Sequence, residues 1–362
     1  MEGSSSSPAR NSDSETGSFE FTFHRYLDVS ARIEADINPG DHPNPDSASL
    51  TESVFNYHNE NGRTYHAYRA GSYYYPNDEA ELERLENLYD LIRLVLDGRN
   101  YLAPWSQQNP PKKVLDLATG SGRWAVEMGD EFPTAEIVGI DLSPIQPTIV
   151  PPNVNFFVED ATEDWQETGV DYVHTRVTVG CWSDVYTEVI AQAFAKLEPG
   201  GWLEMQEVDG TVYCDDGTMA ENSPISVWSK ELYEASLHAN RPLAVVKKLK
   251  GWLEDAGFVD VQEKAYKLPT SGWPRNRRLK EIGELWQANL QMGLAAISYA
   301  LMHRVMGRTK EQIEVSLVNV RKEVANQRSH TYHCFHVVWG RKPNVDEMRT
   351  EATSAGTAAT RV

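Results

Sequence analysis

Cysteine is scarce in this chain, with 3 in 362 residues. Cys181, Cys214 and Cys334 are scattered and no two share the close spacing of a redox or zinc motif. Neither a disulfide framework nor a zinc site is indicated, and a reducing compartment is the natural home. Long apolar runs are missing too. No stretch approaches the ~20 residues that cross a bilayer, and the N-terminus lacks the apolar core of a signal peptide. The expectation is an intracellular protein, cytoplasmic or nuclear. Positive charge is the third shortage: 34 Lys and Arg stand against 53 Asp and Glu, a formal charge of -19. Without cationic surface, neither nucleic acid nor an anionic membrane is an expected partner.

Against these absences stands one dense signal, KVLDLATGSGRWAVEMGDEFPTAEIVGIDLS at 113–143. A short apolar run (114–117) is broken by Thr119-Gly120-Ser121-Gly122. Helical spacing follows (Trp124, Met128, Phe132), then a second apolar run (137–140) ending at Asp141. Parallel strands need a crossover helix, so this is a βαβ unit of an open α/β sheet, whose ligands sit at the C-terminal strand ends. Gly120 and Gly122 let the backbone turn sharply beside a ligand, and Asp141 stands at the distance expected of a ribose acceptor. Gly120-x-Gly122-x-x-Ala125 also satisfies the glycine pattern of dinucleotide binders, which keeps a nicotinamide oxidoreductase open as a remote reading. Asp116, at the loop end of the first strand, suits a cationic ligand better than a pyrophosphate.

The rest of the chain supplies a frame for this unit. Residues 1–57 are rich in Ser, Asp, Glu, Asn and Pro and predict a mostly disordered tail. The spacing predicts an N-terminal helical cap over 58–111, its helix starting from an Asn77 N-cap and running to Leu96. Further strands are predicted over 154–158, 170–175 and 201–208, with a helix over 184–196. Glu204 and Glu207 fall on opposite faces of their strand and should differ in exposure. Two long helices within 267–330 are the expected substrate lid over the strand ends. Residues 344–362 read as a flexible tail.

Several strings together resemble the LaeA-like fungal methyltransferases, class I enzymes dependent on S-adenosylmethionine. They are Glu60-Asn61-Gly62-Arg63, Asp116 to Gly122, Gly139-x-Asp141-Leu142-Ser143-Pro144, Pro151-Pro152-Asn153-Val154, Glu159-Asp160 with Asp164-Trp165, Pro199-Gly200-Gly201-Trp202 and Val338-Trp339-Gly340-Arg341. Ala118 stands where that family's first glycine usually falls. The resemblance covers roughly residues 58–343. It implies a Rossmann-like open sheet with helices on both faces and S-adenosylmethionine as methyl donor.

Carried over by position, the resemblance puts Ala118, Gly120 and Gly122 beside the methionine and ribose, and Asp116 near the ligand's ammonium, directly or through water. Asp141 would take the ribose, and Asp160 with Ala161 the adenine edge. His174 and Arg176 would face the methyl-transfer region, His174 as general base or as a histidine packed in the sheet. Tyr65, His66 and Trp182 are expected around the substrate and its lid. Cys181 would serve as a nucleophile only beside a base or cation. His330, His333 and His336 are spaced so that neighbours point to opposite faces of a strand, so no metal is expected. Two roles are implied: methylation of a small secondary metabolite, or regulation of secondary metabolism through protein partners.

Overall fold

The computed structural model describes residues 54–347; the expectations for residues 1–53 and 348–362 lie outside them. In chain order, a hairpin of β1 (His58–Glu60) and β2 (Arg63–Tyr65) leads to α1 (Glu79–Val95). The central unit follows as β3 (Lys113–Leu117), α2 (Arg123–Glu131) and β4 (Glu136–Asp141). Then come β5 (Val154–Val158), β6 (Val170–Arg176), a π-helical turn (Tyr186–Ala191) running into α3 (Gln192–Lys196), and β7 (Leu197–Cys214). The last part holds α4 (Pro224–His238), α5 (Leu249–Asp255), β8 (Val259–Pro269), α6 (Arg277–Ala300), α7 (Lys310–Val324) and β9 (Thr331–Arg341).

Seven strands form one sheet in the order β5-β4-β3-β6-β7-β9-β8. From β5 to β7 the pairings are parallel, and β9 enters antiparallel between β7 and β8. The order reverses between β3 and β6, which opens a crevice at their carboxyl ends. Period-two alternation sorts the side chains. Val114, Ile137 and Tyr172 pack beneath Trp124, Ala125 and Met128 of α2 on one face. Leu115, Val138 and Val173 meet Val189, Leu249 and Leu253 on the other.

A third core lies among helices, where Leu88, Leu91 and Ile92 of α1 meet Trp286 and Leu290 of α6 and Leu317 of α7. This corrects the expected role of residues 267–330. Their long helices back α1 through apolar packing and the bond from Arg84 to Asn289 (3.2 Å), and none of them lines the strand-end crevice. The helix start also moves by one residue. Asp78, not Asn77, is the N-cap, accepting from Glu81 N at 3.1 Å. Asn77 is buried instead, accepting from Thr64 Oγ1 (2.9 Å) and donating to Ser143 Oγ (3.2 Å). At the other end, residues 344–347 are tied down, with Glu347 paired to Arg341 at 2.8 Å.

Glu204 and Glu207 do point to opposite faces, yet both are fully buried, which corrects the expected difference in exposure. Each carboxylate has found backbone donors. Glu204 accepts from Leu102 N (2.9 Å) and Ala103 N (2.6 Å), and Glu207 from Thr178 N (2.9 Å) and Val179 N (3.1 Å). Burial raises the pKa of both, Glu207 to about 7. Glu204 thereby fixes the descent from α1 into β3. Removing its carboxylate strands two buried donors, each at about 1–3 kcal/mol. Glu204→Leu should therefore lower urea-derived stability by at least about 2 kcal/mol, with Glu204→Gln in between because it keeps one acceptor oxygen.

Candidate active site

The turn after β3 is built from three left-handed residues, Ala118, Gly120 and Gly122, with φ of 51°, 59° and 76°. Ala118 holds that conformation despite its Cβ, at about 1–2 kcal/mol of strain, so the turn keeps its course without the usual glycine. Gly120 borders the crevice. Gly122 does not: a Cβ there would lie 2.5 Å from Phe156 Cζ. Its smallness serves the packing of Phe156, a β5 residue that sequence reasoning passed over, and Gly122 is not among the residues that line the crevice.

Asp141 ends β4 in the crevice. Its carboxylate accepts from Gly120 N and Ser143 N, both at 2.9 Å, which ties it to the glycine turn. Burial nevertheless pushes its pKa up to about 6. Asp160 and Ala161 follow β5 and line the same crevice; Asp160 accepts from Thr162 N (3.0 Å) and stands 3.7 Å from Arg69. Trp182 closes this end, its indole donating to Thr178 Oγ1 at 3.0 Å.

Asp116 pairs in register with His174 across β3 and β6. His174 Nδ1 lies 2.7 Å from one Asp116 oxygen, and Thr119 Oγ1 donates to the other at 2.5 Å. The imidazole is fully buried and stacks on Trp124, with centroids 3.6 Å apart and planes 5° from parallel. Burial outweighs the carboxylate and holds the pKa of His174 down, at about 4. A carboxylate can only accept, so Nδ1 carries the hydrogen and Nε2 is a bare acceptor. Nε2 is buried without a partner. Two residues on, Arg176 donates to Gln206 Oε1 and to the Asn100 carbonyl, both at 2.8 Å, while Nη1 is buried with nothing to bond.

Tyr65 and His66 are not at the crevice. Tyr65 is buried under the Arg304 guanidinium (4.7 Å), and His66 Nε2 sits 3.2 Å from the Arg69 carbonyl. Tyr65 anchors the hairpin to the helical layer, while His66 holds the segment that follows through Arg69 and Ser72. The crevice is roofed from the same segment further on, by Tyr73 and Tyr75, with Glu81 of α1 and Arg241. Their two-residue spacing, which puts both on one face of an extended stretch, was the available signal. Arg241 donates to Ser72 O at 3.0 Å and holds this strap down. Cys181 also lines the crevice, and burial pushes its thiol well above the ordinary range. It is a neutral wall and not a nucleophile. The three C-terminal histidines part company: His330 bonds Asp216 (2.5 Å), His333 accepts from Trp286 (3.1 Å), and His336 bonds Glu263 (2.7 Å).

Parallel strands in this order, an antiparallel β9 and an acid at the end of β4 define a class I methyltransferase. A methyltransferase-domain family model matches residues 86–263. Methyltransferase pytC of Aspergillus terreus is 38% identical over 315 residues, covering 86% of this chain and 96% of that protein. The probable methyltransferase tdiE of Emericella nidulans is 36% identical, covering 82% and 92%. The secondary metabolism regulator LAE1 of Cochliobolus heterostrophus is 33% identical, covering 78% and 94%. The chain belongs to the LaeA-like family of fungal S-adenosylmethionine-dependent methyltransferases.

The raised pKa of Asp141 has a consequence for binding. If a ligand needs its carboxylate ionised, binding below about pH 6 must expel a proton. Affinity should then fall as pH drops through that value, by about tenfold per pH unit. Titrating S-adenosylhomocysteine between about pH 5 and about pH 7, roughly one unit either side of the transition, checks this. Asp141→Asn should bind more weakly and lose the pH dependence.

Proposed function

We propose that this chain methylates a small secondary metabolite, with S-adenosylmethionine lying across the ends of β3, β4, β5 and β6. The observation that carries the reading is the crevice itself. Asp141 is offered to a ribose at one strand end, Asp160 and Ala161 to an adenine at the next, and two unpaired polar atoms wait on β6. These groups suit the cofactor, which supplies an electrophilic methyl group when bound. Similarity to pytC and tdiE over nearly their whole lengths supports methyl transfer as the activity.

The chain's own share of the chemistry is alignment. Holding two reactants in line contributes about 7–11 kcal/mol. Its residues offer little proton abstraction. His174 was the best base candidate, but pinned by Asp116 and kept neutral down to a pKa of about 4 it is a weak one. Tyr73, Tyr75 and Cys181 are all pushed up by burial and stay protonated. Glu207 is occupied by the amides of residues 178 and 179. An acceptor that is nucleophilic without help fits this site best.

A second reading has its own support in the likeness to LAE1, a regulator. Incubating the protein with methyl-labelled S-adenosylmethionine and a fungal extract separates the two. Label in small molecules supports the metabolite reading, and label confined to protein supports the regulatory one. Asp141→Ala should weaken S-adenosylhomocysteine binding about ten- to hundredfold, the worth of a charge-assisted hydrogen bond. Unchanged calorimetric affinity in that variant would show the ligand misplaced.

A further inference from the structure

We propose that the methyl acceptor is an organic acid that enters as its anion, and that Arg241 is the residue that selects and orients it. The inference rests on the methyltransferase reading and names the substrate class which that reading leaves open.

The cofactor reading occupies the strand ends. What it leaves is the part of the crevice enclosed by the strap above and the loop after β6 below. Tyr73 and Tyr75 wall it, edge to face with centroids 5.1 Å apart, and Cys181 lines it from the loop. Gly180, at a φ of 96°, lets that loop come close: a Cβ there would lie 2.9 Å from Leu243 and 3.4 Å from the Tyr75 hydroxyl. The segment that brings Leu243 also brings Arg241, whose charge acts on Cys181.

Three arginines line the crevice, and they differ in what they are committed to. Arg123 is paired with Glu86 at 2.9 Å and Asp90 at 2.7 Å. Arg176 is bonded to Gln206 and Asn100, and Asp116 and Glu204 act on its charge. Arg241 is half-buried and donates from Nε to Ser72 O and from Nη1 to Asn240 O at 2.9 Å. Among the described residues it has neither a bond at Nη2 nor a carboxylate partner. Nη2 therefore keeps its hydrogens for a ligand, beside an aromatic wall. A guanidinium so placed recognises a carboxylate or another oxyanion. Glu81, an acid on the same roof, is held by Arg84 at 2.6 and 2.9 Å and does not take its place.

The chemistry agrees with the charge. Tyr73, Tyr75 and Cys181 stay protonated and His174 stays neutral, so a neutral hydroxyl would find little help in losing its proton. An acid already ionised in water needs none. Its charged oxygen forms the new bond to the methyl carbon, the carbon–sulfur bond breaks with its electron pair staying on sulfur, and no proton moves. The product is uncharged at that oxygen, so its ion pair with Arg241 is lost as it forms.

Anion exchange at about pH 7, where carboxylic acids are ionised, divides a fungal extract into retained and unretained fractions for incubation with the protein and methyl-labelled S-adenosylmethionine. The retained fraction should supply the acceptor, and the labelled small molecule should then pass through the exchanger. An acceptor found only in the unretained fraction overturns the proposal, as does a labelled product that is still retained. Arg241→Gln should need about ten- to hundredfold more of the retained fraction for half-saturation. Its calorimetric affinity for S-adenosylhomocysteine should stay within about twofold of wild type, which certifies its fold. Arg241→Lys restores the charge without the Nε bond to Ser72 and should recover part of the loss. If it does no better than Arg241→Gln, Arg241 only holds the strap and the proposal is overturned. Label confined to protein, with S-adenosylhomocysteine binding intact, overturns it while the cofactor reading stands. A wild type that does not bind S-adenosylhomocysteine fails earlier, at the methyltransferase reading, and the inference falls with it.

Discussion

A carboxylate on β3 and an imidazole on β6, each nearly without solvent, meet at 2.7 Å, and the crevice takes its shape from that contact. The register continues the row: Asp116 opposes His174, and His174 opposes Glu204 of β7. Three polar side chains in the middle of a sheet would each cost several kcal/mol if left bare. None is left bare on the sheet side. Thr119 folds back onto Asp116, which starts the glycine turn, and Glu204 draws in the backbone of residues 102 and 103. Trp124 seals the row from above and thereby sets where α2 begins. The turn, the entry of α2 and the approach to β3 all answer to one buried polar row, and its single open valence is His174 Nε2.

The other face is held by a separate carboxylate. Glu207 gathers Thr178 and Val179 into a tight loop just after β6. Between them and Arg176, Val177 is forced to a φ of 54°, a conformation that β-branched residues rarely adopt. Strain of this kind, about 1–3 kcal/mol, persists only where surrounding bonds over-determine it. It turns the chain so that Val177, Thr178 and Cys181 face the crevice. Above them the strap carrying Tyr73 and Tyr75 is latched at one end by Arg241 and at the other by Asn77 on Ser143. Roof and floor are thus fixed by hydrogen bonds to opposite sides of the cofactor crevice.

How much of this was legible in the sequence depends on how local each cause is. The strand–turn–helix–strand unit from Lys113 to Asp141 could be read from alternation and glycine punctuation because its determinants lie next to one another. The acids at the ends of β4 and β5 were legible for the same reason. Glu204 was not, since its partners are about a hundred positions away at Leu102 and Ala103. Phe156 was invisible because its reason, the missing Cβ of Gly122 and Gly139, appears only once three strands align. Asn77 and Asp78 are both good caps, and only the long-range bond of Asn77 to Ser143 decides between them. The misplaced lid has a similar origin. Periodicity marks α6 and α7 as amphipathic but cannot say that their apolar faces meet α1 before they reach the crevice.

The electrostatics of the crevice favour a site that orients and dries its ligands over one that moves protons. Burial pushes Tyr73, Tyr75 and Cys181 toward their uncharged forms, and it keeps His174 neutral. The charges that remain at the wall are committed: Glu81 to Arg84 at 2.6 Å, and Asp141 to the amides of residues 120 and 143. In a low-dielectric pocket each surviving interaction is worth more than in water. A polar group aimed in advance needs no reorganisation when a reaction occurs. A wall of neutral phenols, thiol and imidazole therefore gives two reacting partners little competition for each other. It also excludes the water that would screen them. Arg176 and Arg241 bring positive charge to the same wall through bonds to neutral oxygens, with Asp116 and Glu204 near enough to Arg176 to act on its charge.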